Sequence, residues 1–303
     1  MKMFKEGQVM NKRAVVYLVS GKHVTLTATS LYSLIDSYDS TDSLEVLVVH
    51  ADIYPDDLKI LQDLPEMMGK PQIIVNLLDP PAKVDEIDYD NDRYPKMVLW
   101  RLFLADSLVD YDQLIYLDND TLVYRSIDQM FNLVPDDKAF GAVPDYYIHL
   151  QALVPSSHTY QEERSLNYIN AGVLVINVHT FNQLIPAESI LQFTIDNPDF
   201  QFADQGILNA IGEGYIELLP LRFNDQKSEH WLESYAKPLS EEFSQEIIDE
   251  REQLVVRHFI QYVSNDMPWE HLRTDDRFED DFWATLMAMK QKAIEWSRKQ
   301  DHR

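Results

Sequence analysis

Four short apolar runs, set apart by helical stretches, constrain this chain more than any other feature. Residues 14–19, 44–49, 71–77 and 113–117 each read as a buried strand, short and bounded by polar or turn residues. Between them, residues 27–38 carry Leu31, Leu34 and Ile35 at helical spacing, and residues 54–64 read as a second helix. Pro95 stands where a third would begin, continuing over residues 96–108. This β-α-β-α order predicts an α/β fold, with a Rossmann-like, doubly wound, mostly parallel sheet and helices on both faces. Further strands are expected at 138–143 and 171–178, and helices at 186–194 and 204–211. The Asp-dense residues 79–92 read as a loop. Residues 145–168 lack periodicity, as a lid, a binding loop or a plain surface excursion would.

The last stretch, 278–303, sets Phe282, Leu286, Met289, Ala293 and Trp296 on one helical face and ends with Lys290, Lys292, Arg298, Lys299 and Arg303. The expected organisation is a main domain over 11–270 and a C-terminal helical extension over 271–303. That helix is expected to pack on the domain, with a peripheral membrane-surface contact as the sharper alternative.

Charge narrows the function. The formal net charge of −25 is the opposite of a nucleic-acid-binding footprint. An anionic substrate would need a metal ion, local Arg or Lys, or backbone N–H groups to neutralise it. There is no cysteine, which excludes disulfides and thiolate metal sites and makes a cytoplasmic location the default. No apolar run approaches membrane-spanning length. Residues 1–11 contain no apolar signal core, so a secretory leader is not expected.

The sharpest chemical signal is Asp118-Asn119-Asp120, reached directly from the run Leu114-Ile115-Tyr116-Leu117. Carboxylates are hard ligands for Mg²⁺ or Mn²⁺, and open α/β sheets collect ligands at the carboxyl ends of their strands. A chain this rich in Asp should show roughly three D-x-D matches by chance. Asp88-Tyr89-Asp90, Asp90-Asn91-Asp92 and Asp110-Tyr111-Asp112 are such matches, and none follows an unbroken apolar strand. The bland alternative is a polar turn leaving a core strand.

Taken in order, five segments resemble one family: residues 114–123, 168–177 and 204–209, then Arg222-Phe223-Asn224 and His258-Phe259. They are similar to the family 8 retaining glycosyltransferases, which include bacterial lipopolysaccharide galactosyl- and glucosyltransferases and glycogenin. The resemblance runs from about residue 14 to 269. It implies a GT-A fold and a UDP-sugar donor with Mn²⁺, or Mg²⁺, held by Asp118, Asp120 and His258. It also implies donor contacts from Arg101, Asn119, Asp145, Asn170 and Gly172, with Ser20 near the base and ribose. Asp204 and Gln205 take the catalytic positions. A Gln is a poor nucleophile, so front-face attack by the acceptor is expected, with a UDP phosphate oxygen as base and a covalent intermediate as the minority route. Asp204 also reads as an N-cap for the helix that follows. The implied acceptor is a glycan, lipid-linked or protein-linked, met in the cytoplasm or at the inner membrane face.

Two stretches depart from the family pattern. Ser20-Gly21-Lys22-His23 replaces the Asp and Asn or Tyr that usually follow the first strand. The usual His-x-x-Gly-x-x-Lys-Pro-Trp is here longer, with Gln261 for the Gly and Met267-Pro268-Trp269 at its end, so Met267 stands for the Lys that faces diphosphate. This departure motivates a second reading, a donor-binding but weakly active or inactive partner subunit. A sugar-nucleotide pyrophosphorylase would need a Gly-rich phosphate loop after the first strand, where only Gly21 stands.

Overall fold

The computed structural model describes residues 12–89, 95–153, 166–260 and 267–300. Along the chain the strands are β1 (Arg13–Ser20), β2 (Leu44–Ala51), β3 (Ile73–Leu78), β4 (Gln113–Leu117), β5 (Thr121–Val123), β6 (Phe140–Pro144), β7 (Ile169–Asn177), β8 (Ile216–Leu218) and β9 (Val256–His258). The main helices are α1 (Val24–Ser37), α2 (Pro55–Met67), α3 (Leu104–Ser107), α4 (Tyr146–Ala152), α5 (Val178–Leu184), α6 (Ala187–Asp196), α7 (Ala203–Ile211), α8 (Glu241–Arg251) and α9 (Arg277–Gln300).

Seven strands form one sheet in the order β3-β2-β1-β4-β7-β6-β8. The pairs β3–β2, β2–β1, β1–β4 and β6–β8 are parallel, and β7 runs antiparallel to both neighbours. The expected doubly wound, mostly parallel sheet is therefore present. Its two faces carry separate apolar cores. Val15, Tyr17, Val46 and Ile115 point to the side of α1 and α2, while Val16, Leu47, Leu114 and Tyr116 point to the side of Leu99, Phe103 and Ile207. Burial on both faces is why these strands read as unbroken apolar runs. β5 and β9 form a second, two-stranded antiparallel sheet.

Two local expectations need correction. Residues 96–108 are not one α-helix. Lys96–Phe103 is a 3₁₀ helix, and only Leu104–Ser107 is α-helical. The three-residue period stacks Leu99 on Leu102 and Trp100 on Phe103, all four buried, and leaves Val98 and Arg101 facing a cleft. Within the irregular region, residues 146–152 form α4 rather than loop; residues 154–165 lie outside the described ones.

α9 lies against α1 and α2, with the Trp296 indole N–H donating to Asp63 Oδ2 at 2.9 Å. The apolar face of residues 282–296 is the face turned inward; Trp283, Met287 and Ile294 face solvent. Among the described residues no helix is long and apolar enough to cross a membrane.

Candidate active site

β4 is buried along its whole length and releases the chain at Asp118, beside the crossing of β1, β4 and β7. The Asp118 N–H donates to Gly172 O at 2.8 Å, extending the β4–β7 ladder by one bond. Thr121 Oγ1 donates to Asp118 O at 2.8 Å, and Thr27 Oγ1 donates to Asn119 Oδ1 at 2.9 Å. The turn is thus clamped between α1 and β5. Antiparallel pairing of β5 with β9 sets Thr121 opposite His258, which carries the imidazole to the turn. His258 Nε2 lies 3.2 Å from Asp120 Oδ1 and 3.6 Å from Asp118 Oδ2. Asp110-Tyr111-Asp112 sits at the opposite end of β4, where Asp112 Oδ2 accepts the Lys12 N–H. The other two D-x-D matches include Asp90, outside the described residues.

A chain of three hydrogen bonds fixes the imidazole tautomer. The Gly172 N–H donates to Asn170 Oδ1 at 3.0 Å, so that atom is an acceptor. Asn224 Nδ2 donates to the same oxygen at 2.9 Å, which turns Asn224 Oδ1 to His258 Nδ1 at 3.1 Å. Nδ1 therefore carries a proton, and Nε2 is the ring atom that faces the two carboxylates. One imidazole nitrogen and two carboxylate oxygens, all within 4.8 Å of one another, suit a hexacoordinate divalent cation and leave positions open. Asn224 orients the imidazole in the way metal-bound histidines require. Asn224 stood in a resembling segment without a role, because its partner His258 lies on another element.

Gly172 is required by the same geometry. A Cβ there would stand 2.0 Å from His258 Cε1 and 2.9 Å from Asp118 Oδ2. Gly172→Ala is expected to displace the ring and weaken divalent-cation binding by about tenfold or more, the scale of lost ligand orientation. Calorimetric titration with Mn²⁺, beside a circular dichroism check of folding, would measure it.

On the other side of Asp118 stands Arg101. Its guanidinium donates to Asp118 Oδ1 at 2.9 Å and to Ala171 O at 2.6 Å, and pairs through Nε with Asp204 Oδ2 at 2.8 Å. Burial opposes its charge, but Asp118 and Asp204 outweigh that and raise its pKa. The Tyr116 hydroxyl donates to Asp118 Oδ1. Asp204 is in the first turn of α7, not its N-cap, which is Phe202. Its carboxyl is pushed up to about 6, chiefly by burial and against the pull of Arg101. A raised folded-state value means that the stability Asp204 contributes is complete below its unfolded value of 3.8 and lost as pH rises through about 6. Relative to Asp204→Asn, metal-free wild type should lose about 3 kcal/mol between pH ~4 and ~7 in urea unfolding.

Gln205, Asp145 and Asn170 form a second hydrogen-bonded network. Gln205 Oε1 accepts from the Ala171 N–H at 3.1 Å and from Asn170 Nδ2 at 3.2 Å, and its Nε2 donates to Asp145 Oδ2 at 3.2 Å. Asp145 Oδ1 caps α4 by accepting from the N–H groups of Tyr147 and Ile148. Asp118, Asn119, Asp120, Asp145, Asn170, Gly172, Asp204, Gln205, Arg101 and His258 all line one cleft of about 880 Å³. Ser20 does not line it, whereas His23 does. Met267 also lines the cleft, while packing with Leu122, Phe259 and Phe282 in an apolar cluster. Gln261 lies outside the described residues.

Comparison with known proteins identifies the fold and the family. General stress protein A of Bacillus subtilis is 24% identical over 230 residues, 72% of this chain and 76% of its own length. Glycosyltransferase GlyB of Streptococcus pneumoniae is 24% identical over 215 residues, 71% of this chain but only 48% of its own length. Among solved structures, galactosyltransferase LgtC in complex with donor and acceptor sugar analogs superposes with a TM-score of 0.68 at 19% identity, covering 91% of this chain and 95% of that one. The WbbM bifunctional glycosyltransferase gives 0.75 at 16% identity, covering 95% of this chain and 53% of that one. These likenesses identify the sheet as a GT-A fold. Residues 14–271 match the family model for glycosyl transferase family 8, which covers most of the chain; the protein is a member of that glycosyltransferase family.

Proposed function

We propose that this chain is a retaining hexosyltransferase that moves a hexose from a UDP-sugar to a hydroxyl of a glycan, glycolipid or glycoprotein acceptor. The observation that carries the reading is the triangle of Asp118, Asp120 and His258 Nε2, facing the same cleft as Arg101, Asp204 and Gln205. A divalent ion held there, Mn²⁺ or Mg²⁺, would neutralise the charge that develops on the leaving diphosphate.

The protein's own groups do the rest. Arg101 holds Asp118 in its ligating orientation and Asp204 at the cleft wall. Asn170, Asp145 and Gln205 offer donors and acceptors to sugar hydroxyls. Gln205 Oε1 already accepts from a backbone N–H and from Asn170, so its free reach into the cleft is small. That supports front-face transfer: the acceptor oxygen attacks from the side of the departing UDP, and its proton passes to a phosphate oxygen. Cytoplasmic placement fits a UDP-sugar donor.

The alternative, a donor-binding partner subunit with little activity, rests on Met267, an apolar side chain in the cleft. Measuring UDP release over a panel of UDP-sugars, with Mn²⁺ and with chelator, separates the two. Release from at least one sugar, lost on chelation, is the expected result. Mn²⁺-dependent UDP binding without release from any sugar or acceptor would favour the partner subunit. No Mn²⁺-dependent UDP binding at all would sink both.

A further inference from the structure

A second group of metal-ligating side chains lies just past the cleft-lining turn of Met267 to Glu270. His271, Asp275 and Glu279 present one donor atom each, all within 4.8 Å of one another. The His271 side chain is only 5% exposed, and its Nε2 has no hydrogen-bond partner. Its Nδ1 lies 2.8 Å from Arg273 O, an atom that can only accept. Nδ1 therefore carries a proton, and the buried Nε2 faces Asp275 Oδ2 and Glu279 Oε1, each 3.8 Å away. Three donors that all lie within 4.8 Å of one another are close enough to converge on a single ion.

The carboxylates of the group are held in place by further hydrogen bonds. Arg273 Nε donates to both Asp275 oxygens, at 2.8 and 3.0 Å. Glu279 Oε2 accepts the Asp275 N–H at 3.0 Å, which leaves Oε1 to face the imidazole. We propose that His271 Nε2, Asp275 Oδ2 and Glu279 Oε1 form a second cation site, separate from the Asp118 group, that takes a Zn²⁺-class ion with water in the fourth position. The ion fastens His271, directly after Glu270, to the first turn of α9. Met267 and Glu270 both line the cleft, so the site holds one of its walls. The role is structural, and it does not depend on which sugar is transferred.

The test uses the full-length, tag-free chain stripped with chelator and titrated with Zn²⁺ by calorimetry. Wild type should bind two ions. The Asp118→Asn/Asp120→Asn variant should bind one and gain thermal stability from it. Adding Glu279→Gln, a neutral isostere, should weaken that remaining ion at least tenfold. Two results would overturn the site: no Zn²⁺ bound by the Asp118→Asn/Asp120→Asn variant, or binding that Glu279→Gln leaves unchanged. Should the triple variant not fold, Co²⁺ added to the double variant gives a second readout, visible d–d bands of a nitrogen- and oxygen-ligated ion. Their absence also overturns the proposal.

Discussion

Asp120→Asn should lower metal-dependent transfer by about a thousandfold while leaving the fold intact. Asn keeps the volume but gives up the charge that holds a divalent cation. Lewis-acid stabilisation of a leaving diphosphate is worth several kcal/mol, which converts to roughly three orders of magnitude in rate. The Asp120 side chain is about a quarter exposed, and its Oδ1 lies 3.2 Å from His258 Nε2. Removing its charge next to Asp118 should therefore leave the melting temperature of the metal-free protein unchanged or slightly higher. Asp118→Asn should match it in activity but not in stability, because Asp118 also receives Arg101 and Tyr116. Assaying UDP release and melting temperature for both variants separates metal binding from scaffolding. Transfer by Asp120→Asn within tenfold of wild type would contradict the assigned role.

The strands that position this site were readable because they are buried on both faces. Residues 14–19, 44–49 and 113–117 fall inside β1, β2 and β4. What local pattern could not supply was direction. The strand expected at 171–178 is β7 at Ile169–Asn177, but nothing in that run says that it is antiparallel to β4. Yet only that pairing puts Gly172 against Asp118. The 3₁₀ helix at Lys96–Phe103 was missed because Pro95 and a dense apolar run suit either helix type; the choice is made by the two rows that must be buried. β5 and β9 are three residues each, too short to show periodicity, and they carry the register that brings His258 to the carboxylates. The residues that the family resemblance singled out, Ser20 excepted, line one cleft. The Asn224 relay that fixes the imidazole, and the Arg101 bridge between Asp118 and Asp204, depend on distances between elements far apart in sequence.

That bridge predicts the largest loss of stability. Arg101→Met should destabilise the metal-free protein by about 3–5 kcal/mol, the cost of breaking a buried ion pair from one side. Met approximates the length of the side chain and preserves packing over the Tyr116 ring, so the loss reports charge rather than a cavity. It leaves Asp204 buried without its cation and takes from Asp118 one of its hydrogen bonds. It also frees Ala171 O, at the edge where β7 meets the cleft. Arg101→Lys should recover little, because a single ammonium cannot reach Asp118, Asp204 and Ala171 O in one plane. The decisive comparison is a double-mutant cycle in urea. If the carboxylate of Asp204 is the stranded partner, Arg101→Met/Asp204→Asn should be more stable than Arg101→Met alone, although two native contacts rather than one have been altered. Simple additivity of the two losses would mean that Arg101 stabilises the fold by packing, and that Asp204 is held at the cleft by its backbone alone.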